Sequence, residues 1–448
     1  MRNKGSRIFI STLTILVLLK VAAIFAQSQV VPCQLSQPDQ DTLRLFPDRT
    51  NYRTEFIRTD EMGERRGIGA DTLYRELEKR LGNKWDPVWE TRDIPYVFYE
   101  ILKGSDRIGW VFGANQGWPG ADNSQLMCAF DLDGRLREFY YQKLPSMEKG
   151  LLQTKSFYSQ FIGLTLEHFY VHEQLAALHV QDKDILELDM IDRIKDPTEK
   201  EREGFKKTLR GIKKIFIYMD DFKFDNKFKK DASLAKVKYL VENKSRVILL
   251  GSDALVKIKK IFPEASSFTV DLISFKDRER LIEERLQDKL DPGTEPPDLV
   301  YPVYVVYKDE SPKEPFVRGL ILGYVLPLAI DTPGGELKAI IAVGATDTDK
   351  GKVVFAEIGK TDLGRLNGLS LVHFYTKDVL LKTKIADDKL DKIASIGGIK
   401  AENNDITTPA LRAARKGLVI IDEFYLRNFF KKDEITKKIE DYLKNPKK

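Results

Sequence analysis

Cysteine and histidine are scarce: two and four residues respectively in a chain of 448. That scarcity removes several chemistries. There is no Cys-x-x-Cys-His for covalent haem, and no cysteine cluster for an iron–sulfur centre or a structural zinc. Gly-x-Ser-x-Gly, His-Glu-x-x-His, the P-loop and the dinucleotide fingerprint are also missing, so hydrolase and nucleotide-driven chemistry finds no support. Nor does charge of one sign dominate. The 73 basic and 68 acidic residues leave a net charge of +5, a mixed-sign surface that favours solubility and gives no nucleic-acid footprint.

Long apolar runs are lacking except at the N-terminus. There Arg2, Lys4 and Arg7 precede Ile8 to Leu19, then Lys20, then Val21-Ala22-Ala23-Ile24-Phe25-Ala26. Residues 1–26 are expected to be a signal peptide cut after Ala26, or an anchor retained despite Lys20. Both place the body of the protein outside the cytoplasm, in the periplasm or held at the outer face of the cytoplasmic membrane. Val30-Val31-Pro32 before Cys33 lacks the small residues of a lipidation site. In an oxidising compartment Cys33 and Cys128 could pair, a question of geometry that the sequence leaves open.

What the chain does contain is a repetition. Glu78-Lys79-Arg80-Leu81, Lys84 and Asp86-Pro87 return as Glu283-Glu284-Arg285-Leu286, Lys289 and Asp291-Pro292. Gly163-Leu164-Thr165-Leu166-Glu167-His168-Phe169-Tyr170 returns as Gly368-Leu369-Ser370-Leu371-Val372-His373-Phe374-Tyr375. Leu209-Arg210, Asp220, Phe222 and Phe228-Lys229-Lys230-Asp231 return as Leu411-Arg412, Asp422, Phe424 and Phe430-Lys431-Lys432-Asp433. The order is kept and each copy is too long for a solenoid unit, which predicts two similar domains in tandem, 38–244 and 261–445, joined by 245–260.

Each copy opens with Phe46-Pro47 or Phe262-Pro263, and a charged helical stretch ends at Asp-Pro. Strands follow at Tyr96 to Ile101 and Val303 to Tyr307, then at Gly109 to Phe112 and Gly323 to Leu326. Turns at Asp131-Leu132-Asp133-Gly134 and Asp347 to Gly351 mark a further hairpin. A closing helix includes Gly204 to Met219 in one copy and Pro409 to Phe424 in the other. The predicted class is α+β, with an antiparallel sheet flanked by helices in each copy.

This order resembles the FMN-binding domain of the periplasmic flavin subunits of sodium-translocating NADH:quinone reductase and Rnf-type complexes, and of the nitrous-oxide-respiration regulator. The resemblance is carried by Leu45-Phe46-Pro47, Tyr99, Gly104, Gly109-Trp110-Val111-Phe112, Gly117-Trp118-Pro119-Gly120 and Asp131-Leu132-Asp133-Gly134 in the first copy. In the second it rests on Phe262-Pro263, Tyr307, Gly323-Tyr324-Val325 and Thr361-Asp362-Leu363-Gly364. The family's covalent attachment sequence is absent: Asp405-Ile406-Thr407-Thr408-Pro409 stands at that helix start, and Gly344-Ala345-Thr346 falls at a strand turn with no aspartate at the required distance.

The resemblance therefore implies FMN held noncovalently, if at all, with Trp110, Trp118, Gly120, Tyr324, Thr361, Leu363 and Gly364 as its contacts. It also implies electron transfer beside a respiratory or redox complex at the membrane, without catalysis of the protein's own. The alternative is a cofactor-free interaction module that keeps the fold. In either case duplication allows a pseudo-twofold pair of copies with a shared interface or two beads on the 245–260 connector. Elsewhere, His168 and His172 are expected to pack and hydrogen-bond at a domain surface, and Asp220-Asp221 and Asp422-Glu423 to end helices in solvent.

Overall fold

The computed structural model describes residues 33–85, 95–118, 122–244, 249–274, 278–286, 300–310, 315–332, 335–351 and 353–358, with short pieces at 370–371, 395–396, 399–400, 416–417 and 419–426. The N-terminal segment 1–26, Gly120, Thr361, Leu363, Gly364 and the region of Pro409 lie outside the described residues.

In the first half, α1 (Pro38–Leu45) leads to β1 (Asn51–Ile57), then α2 (Thr59–Arg65) and α3 (Ala70–Leu81). A meander follows: β2 (Tyr96–Lys103), β3 (Asp106–Trp118), β4 (Asp122–Phe130) and β5 (Leu136–Lys143). Helices then close the half: α4 (Ser146–Leu152), α5 (Lys155–Tyr158), α6 (Leu166–Ala177), α7 (Lys183–Leu186), the long α8 (Glu203–Lys223) and α9 (Lys230–Glu242). The second half runs α10 (Ala254–Ile261), β6 (Ser267–Ser274), α11 (Glu279–Leu286), β7 (Val300–Asp309), β8 (Gly319–Thr332), β9 (Gly335–Gly344) and β10 (Val353–Ile358). The two-residue strand β11 (Ser370–Leu371) adds to this sheet, and residues 419–424 are helical. The fold is thus α+β with two main antiparallel sheets, ordered β1-β2-β3-β4-β5 and β11-β10-β9-β8-β7-β6, besides a two-stranded piece at 395–396 and 399–400.

The first sheet is covered on both faces because its strands are apolar on both. Phe98, Phe112, Leu126 and Phe130 are buried, and α8 crosses β3 and β4. Gly211 of α8 makes that crossing close: a Cβ there would meet the Leu126 side chain at 2.7 Å. The opposite face receives α1 and residues 33–36, where the Leu35 amide donates to the Tyr99 hydroxyl at 3.0 Å. Cys33 and Cys128 are both buried and unbonded to each other, with Cys33 Sγ 3.5 Å from Met127 Sδ. α3 forms where Leu73, Leu77 and Leu81 repeat every fourth residue to give one buried stripe, and Gly82, at φ +87°, ends it.

Contacts recur between the halves at equivalent places. Phe46 and Phe262 each lie against a glycine of the third strand, Gly109 and Gly323, where a Cβ would strike the ring. Each glycine sits beside a bulge, between Ile101 and Leu102 in one sheet and Val306 and Tyr307 in the other. The Tyr304 hydroxyl accepts from the Leu250 amide at 2.9 Å, as Tyr99 does from Leu35.

Strands β1 and β6 were absent from the sequence-based expectation, which began each meander one strand later. Both are sheet edges. β1 alternates no apolar face, and the apolar run of β6 is broken by Asp271, so neither carries the usual signal.

Candidate functional site

A buried ion pair, Arg135 with Asp271, joins the two halves at their seam. Arg135 follows Gly134, whose φ of +81° lets the β4–β5 turn close tightly. Its guanidinium grips the Asp271 carboxylate on β6 through both terminal nitrogens, one of them at 3.1 Å from Oδ1. Tyr425, at the end of the last helical segment, donates to Asp271 Oδ2 at 3.0 Å. Burial pulls the Asp271 carboxyl upward, but Arg135 outweighs it and holds the group below the usual carboxylate range.

His168 sits beside this cluster. Its Nδ1 accepts from the Thr165 amide at 2.9 Å, so Nε2 carries the proton and donates to the Val270 carbonyl at 3.1 Å. Burial lowers its pKa, keeping the ring neutral. His168 packs and hydrogen-bonds as expected, on the face of the first half that meets the second. Lys236 of α9 donates to the Leu272 carbonyl at 2.6 Å and to Glu167 at 2.8 Å. Two carbonyls of the β6 edge are therefore capped by side chains of the first half, which blunts an edge that would otherwise recruit another strand.

Next to the cluster opens a cleft of about 710 Å³. Its wall includes Phe228, Tyr239, Phe424 and Tyr425, together with the cations Lys227, Lys236 and Arg278. Acids answer each cation: Lys227 donates to the Asp133 carbonyl at 2.9 Å and lies 3.6 Å from its carboxylate, and Arg278 meets Glu423 at 2.9 Å. On another part of the seam a cavity of about 560 Å³ lies between Lys155, Ser156 and Ser159 of one half and Ser266, Ser267 and Lys308 of the other.

Of the residues expected to face a flavin, Trp110, Trp118 and Tyr324 are among those described, and Trp110 and Tyr324 are packed apart from the larger cleft. Trp110, 4% exposed, lies under Lys223, whose Nζ is 4.7 Å from its ring and from that of Phe98, and Arg107 covers it at 4.6 Å. Tyr324 is 5% exposed and packs on Tyr425 with ring centroids 4.6 Å apart. Trp118 ends β3, its backbone paired with Asp122. Neither Trp110 nor Tyr324 lines either of these cavities.

The paired acids need correction. Asp220, Asp221, Asp422 and Glu423 are buried, none more than 5% exposed, instead of solvated helix ends. Arginines from earlier in the chain meet three of them: Arg80 pairs with Asp220, Arg66 with Asp221 at 2.8 Å, and Arg278 with Glu423. Burial raises the pKa of Asp220 and Asp221 against the pull of these arginines. The sequence hid this because the arginines stand far away along the chain.

His172 joins Asp189, Nδ1 to Oδ2 at 2.9 Å, and this hydrogen bond raises its pKa. Among the described residues no group of three or more His, Cys, Asp or Glu could hold a metal ion, and no helix is long and apolar enough to cross a membrane. The seam residues Arg135, Asp271, Lys236 and Tyr425 escaped sequence reasoning. One signal was available: an aspartate inside Phe268-Thr269-Val270-Asp271-Leu272-Ile273 must be paired if the strand is buried. No family model, no curated protein and no solved structure matches this chain.

Proposed function

We propose that this chain is an exported docking protein made of two FMN-binding-like halves, 38–244 and 261–445, that keeps the domain layout and performs no catalysis of its own. The observation that carries this reading is the packing of Trp110 and Tyr324. In each half the third-strand aromatic is stacked beneath a residue from the end of the closing helix, Lys223 or Tyr425, where a flavin ring would need room. The halves' common descent is supported by the Phe46–Gly109 and Phe262–Gly323 approaches and by the matched Tyr99 and Tyr304 hydrogen bonds. Export, to the periplasm or to the outer face of the membrane, follows from the N-terminal segment, and a membrane redox complex is the natural partner for such a module.

A second reading, noncovalent FMN in an electron carrier, is favoured by the 710 Å³ cleft, where four aromatic rings adjoin Lys227, Lys236 and Arg278. An absorption spectrum of protein from an exporting host, with and without added FMN and after acid precipitation, separates the two. The docking reading expects a colourless protein that takes up no FMN. Yellow colour released by acid would replace it with the carrier.

A further inference from the structure

Two of the long sheet edges are closed within the chain. On β6, His168 and Lys236 take the Val270 and Leu272 carbonyls. On β5, the Leu136 amide donates to the Leu164 carbonyl and the Gly163 amide to the Leu136 carbonyl, both at 2.8 Å. β1, the other edge of the first sheet, has no such cover among the described residues. It pairs with β2 along seven residues without a bulge and holds neither proline nor lysine, the usual guards of an edge. The Tyr52 amide donates to the side chain of its own neighbour, Asn51, at 2.8 Å, and so points away from β2. By antiparallel alternation the backbone groups of Thr54 and Phe56 point the same way. Thr54 is exposed, and Phe56 is an apolar ring 52% exposed.

This strand is its own complement. Laid antiparallel to itself about Thr54, Asn51-Tyr52-Arg53-Thr54-Glu55-Phe56-Ile57 sets Arg53 opposite Glu55, Tyr52 opposite Phe56 and Thr54 opposite Thr54. Opposite charges, aromatic pairs and facing threonines are cross-strand combinations that stabilise a sheet. The backbone agrees with that register. Residues 52, 54 and 56 carry the outward groups, so they form the hydrogen-bonded pairs, and Arg53 and Glu55 fall at the pairs between them, where side chains come closest. Centring the pairing on Arg53 or on Glu55 instead would set like charges opposite each other and shorten the overlap. Both charged side chains keep much of their surface in solvent, although Arg53 lies 3.8 Å from Glu100, and Glu55 is held by Lys223 and lies 3.6 Å from Arg65.

We infer that two copies of this chain pair through their β1 edges, antiparallel about a twofold axis at Thr54, which joins two five-stranded sheets into one continuous sheet. The contact is isologous and closes at two copies. Each copy's Phe56 gains an aromatic neighbour in the other copy's Tyr52. One strand pairing is a small interface, so the dimer forms and dissociates with concentration.

This pairing involves the first sheet alone, and its test is independent of flavin and of the docking reading. Sedimentation velocity of the full exported chain over a range of concentrations should show wild type passing from one chain to two. Arg53→Glu, at an exposed position, leaves the far-UV circular dichroism as in wild type. It sets acid against acid at both charge pairs, and the dissociation constant rises about tenfold or more. Glu55→Arg does the same with cations. Mixed in equal amounts, the two variants regain opposite charges at both pairs, and a two-chain complex returns that neither forms alone. Thr54→Pro removes the outward amide at the centre, a change an edge strand accepts, and abolishes pairing without altering charge. It decides the case if Glu55→Arg, having lost its bond to Lys223, also loses the wild-type circular dichroism. Wild type of single mass at every concentration overturns the inference, as does association indifferent to Arg53→Glu or Thr54→Pro, or a mixture of folded variants no more associated than its components. A colourless chain of single mass would leave the docking reading standing and end this one.

Discussion

Removing the Asp271 carboxylate is the sharpest test of what holds the halves together. In Asp271→Ala the Arg135 guanidinium stays buried at the seam with its doubly bonded acceptor gone, and the Tyr425 hydroxyl loses its acceptor too. Breaking a buried pair from one side costs about 3–5 kcal/mol, because a desolvated charge is left behind. That compares with about 5–15 kcal/mol for the whole of a typical domain's stability. Urea unfolding should therefore show the midpoint falling by roughly 1–5 M, taking a slope of about 1–3 kcal/mol per molar.

The double variant Arg135→Met, Asp271→Leu separates the charge from the packing. It should recover most of the loss, since buried ion pairs are often no better than apolar side chains of similar volume. The acid limb follows from the same pair. The folded pKa of Asp271 is depressed, so its contribution is present above the unfolded value, about 3.9, and is lost as pH falls through the lower folded value. A midpoint for Asp271→Ala equal to wild type would refute the claim that this cluster joins the halves.

Two further outcomes are expected. Gly109→Ala places a Cβ 2.5 Å from both the Phe46 ring and the Phe130 carbonyl oxygen, and Gly323→Ala places one 2.5 Å from the Val343 carbonyl oxygen and against Phe262. Each should cost about 1–3 kcal/mol by overpacking, and unchanged thermal midpoints would contradict the described approach. Glu138, paired with Arg44, is pushed by burial up to about 7. A carboxyl raised on folding contributes most below its unfolded pKa, about 4.3. Its contribution fades as pH climbs to about 7. Glu138→Gln should flatten the stability profile across that window in chemical denaturation, and an unaltered profile would assign the slope to another group.

The sequence made the sheets legible where strands are buried on both faces. Tyr96 to Ile101, Val303 to Tyr307 and the Gly-aromatic strands are dense in β-branched and aromatic residues, and they lie inside β2, β7, β3 and β8. Edge strands were harder. Asn51 to Glu55 has no apolar stripe because β1 packs through only one side of its pairing, so periodicity is silent there. Buried acids were misread for a different cause: helix-end carboxylates are ordinarily solvated, and only the fold shows that Arg66, Arg80 and Arg278 converge on them. Trp110 and Tyr324 illustrate a third limit. An aromatic on a strand is equally suited to pack or to wall a ligand, and its neighbours in space, here Lys223 and Tyr425, decide which.

The capping of β6 by His168 and Lys236 also has a direction in time. Both donors precede β6 in the chain, so the ribosome delivers the cover before the strand it protects. Domains generally fold as units during synthesis, the N-terminal one first. The first half can thus act as a template on which the second is laid down, and a nascent chain never has to present the β6 edge without its guard already made.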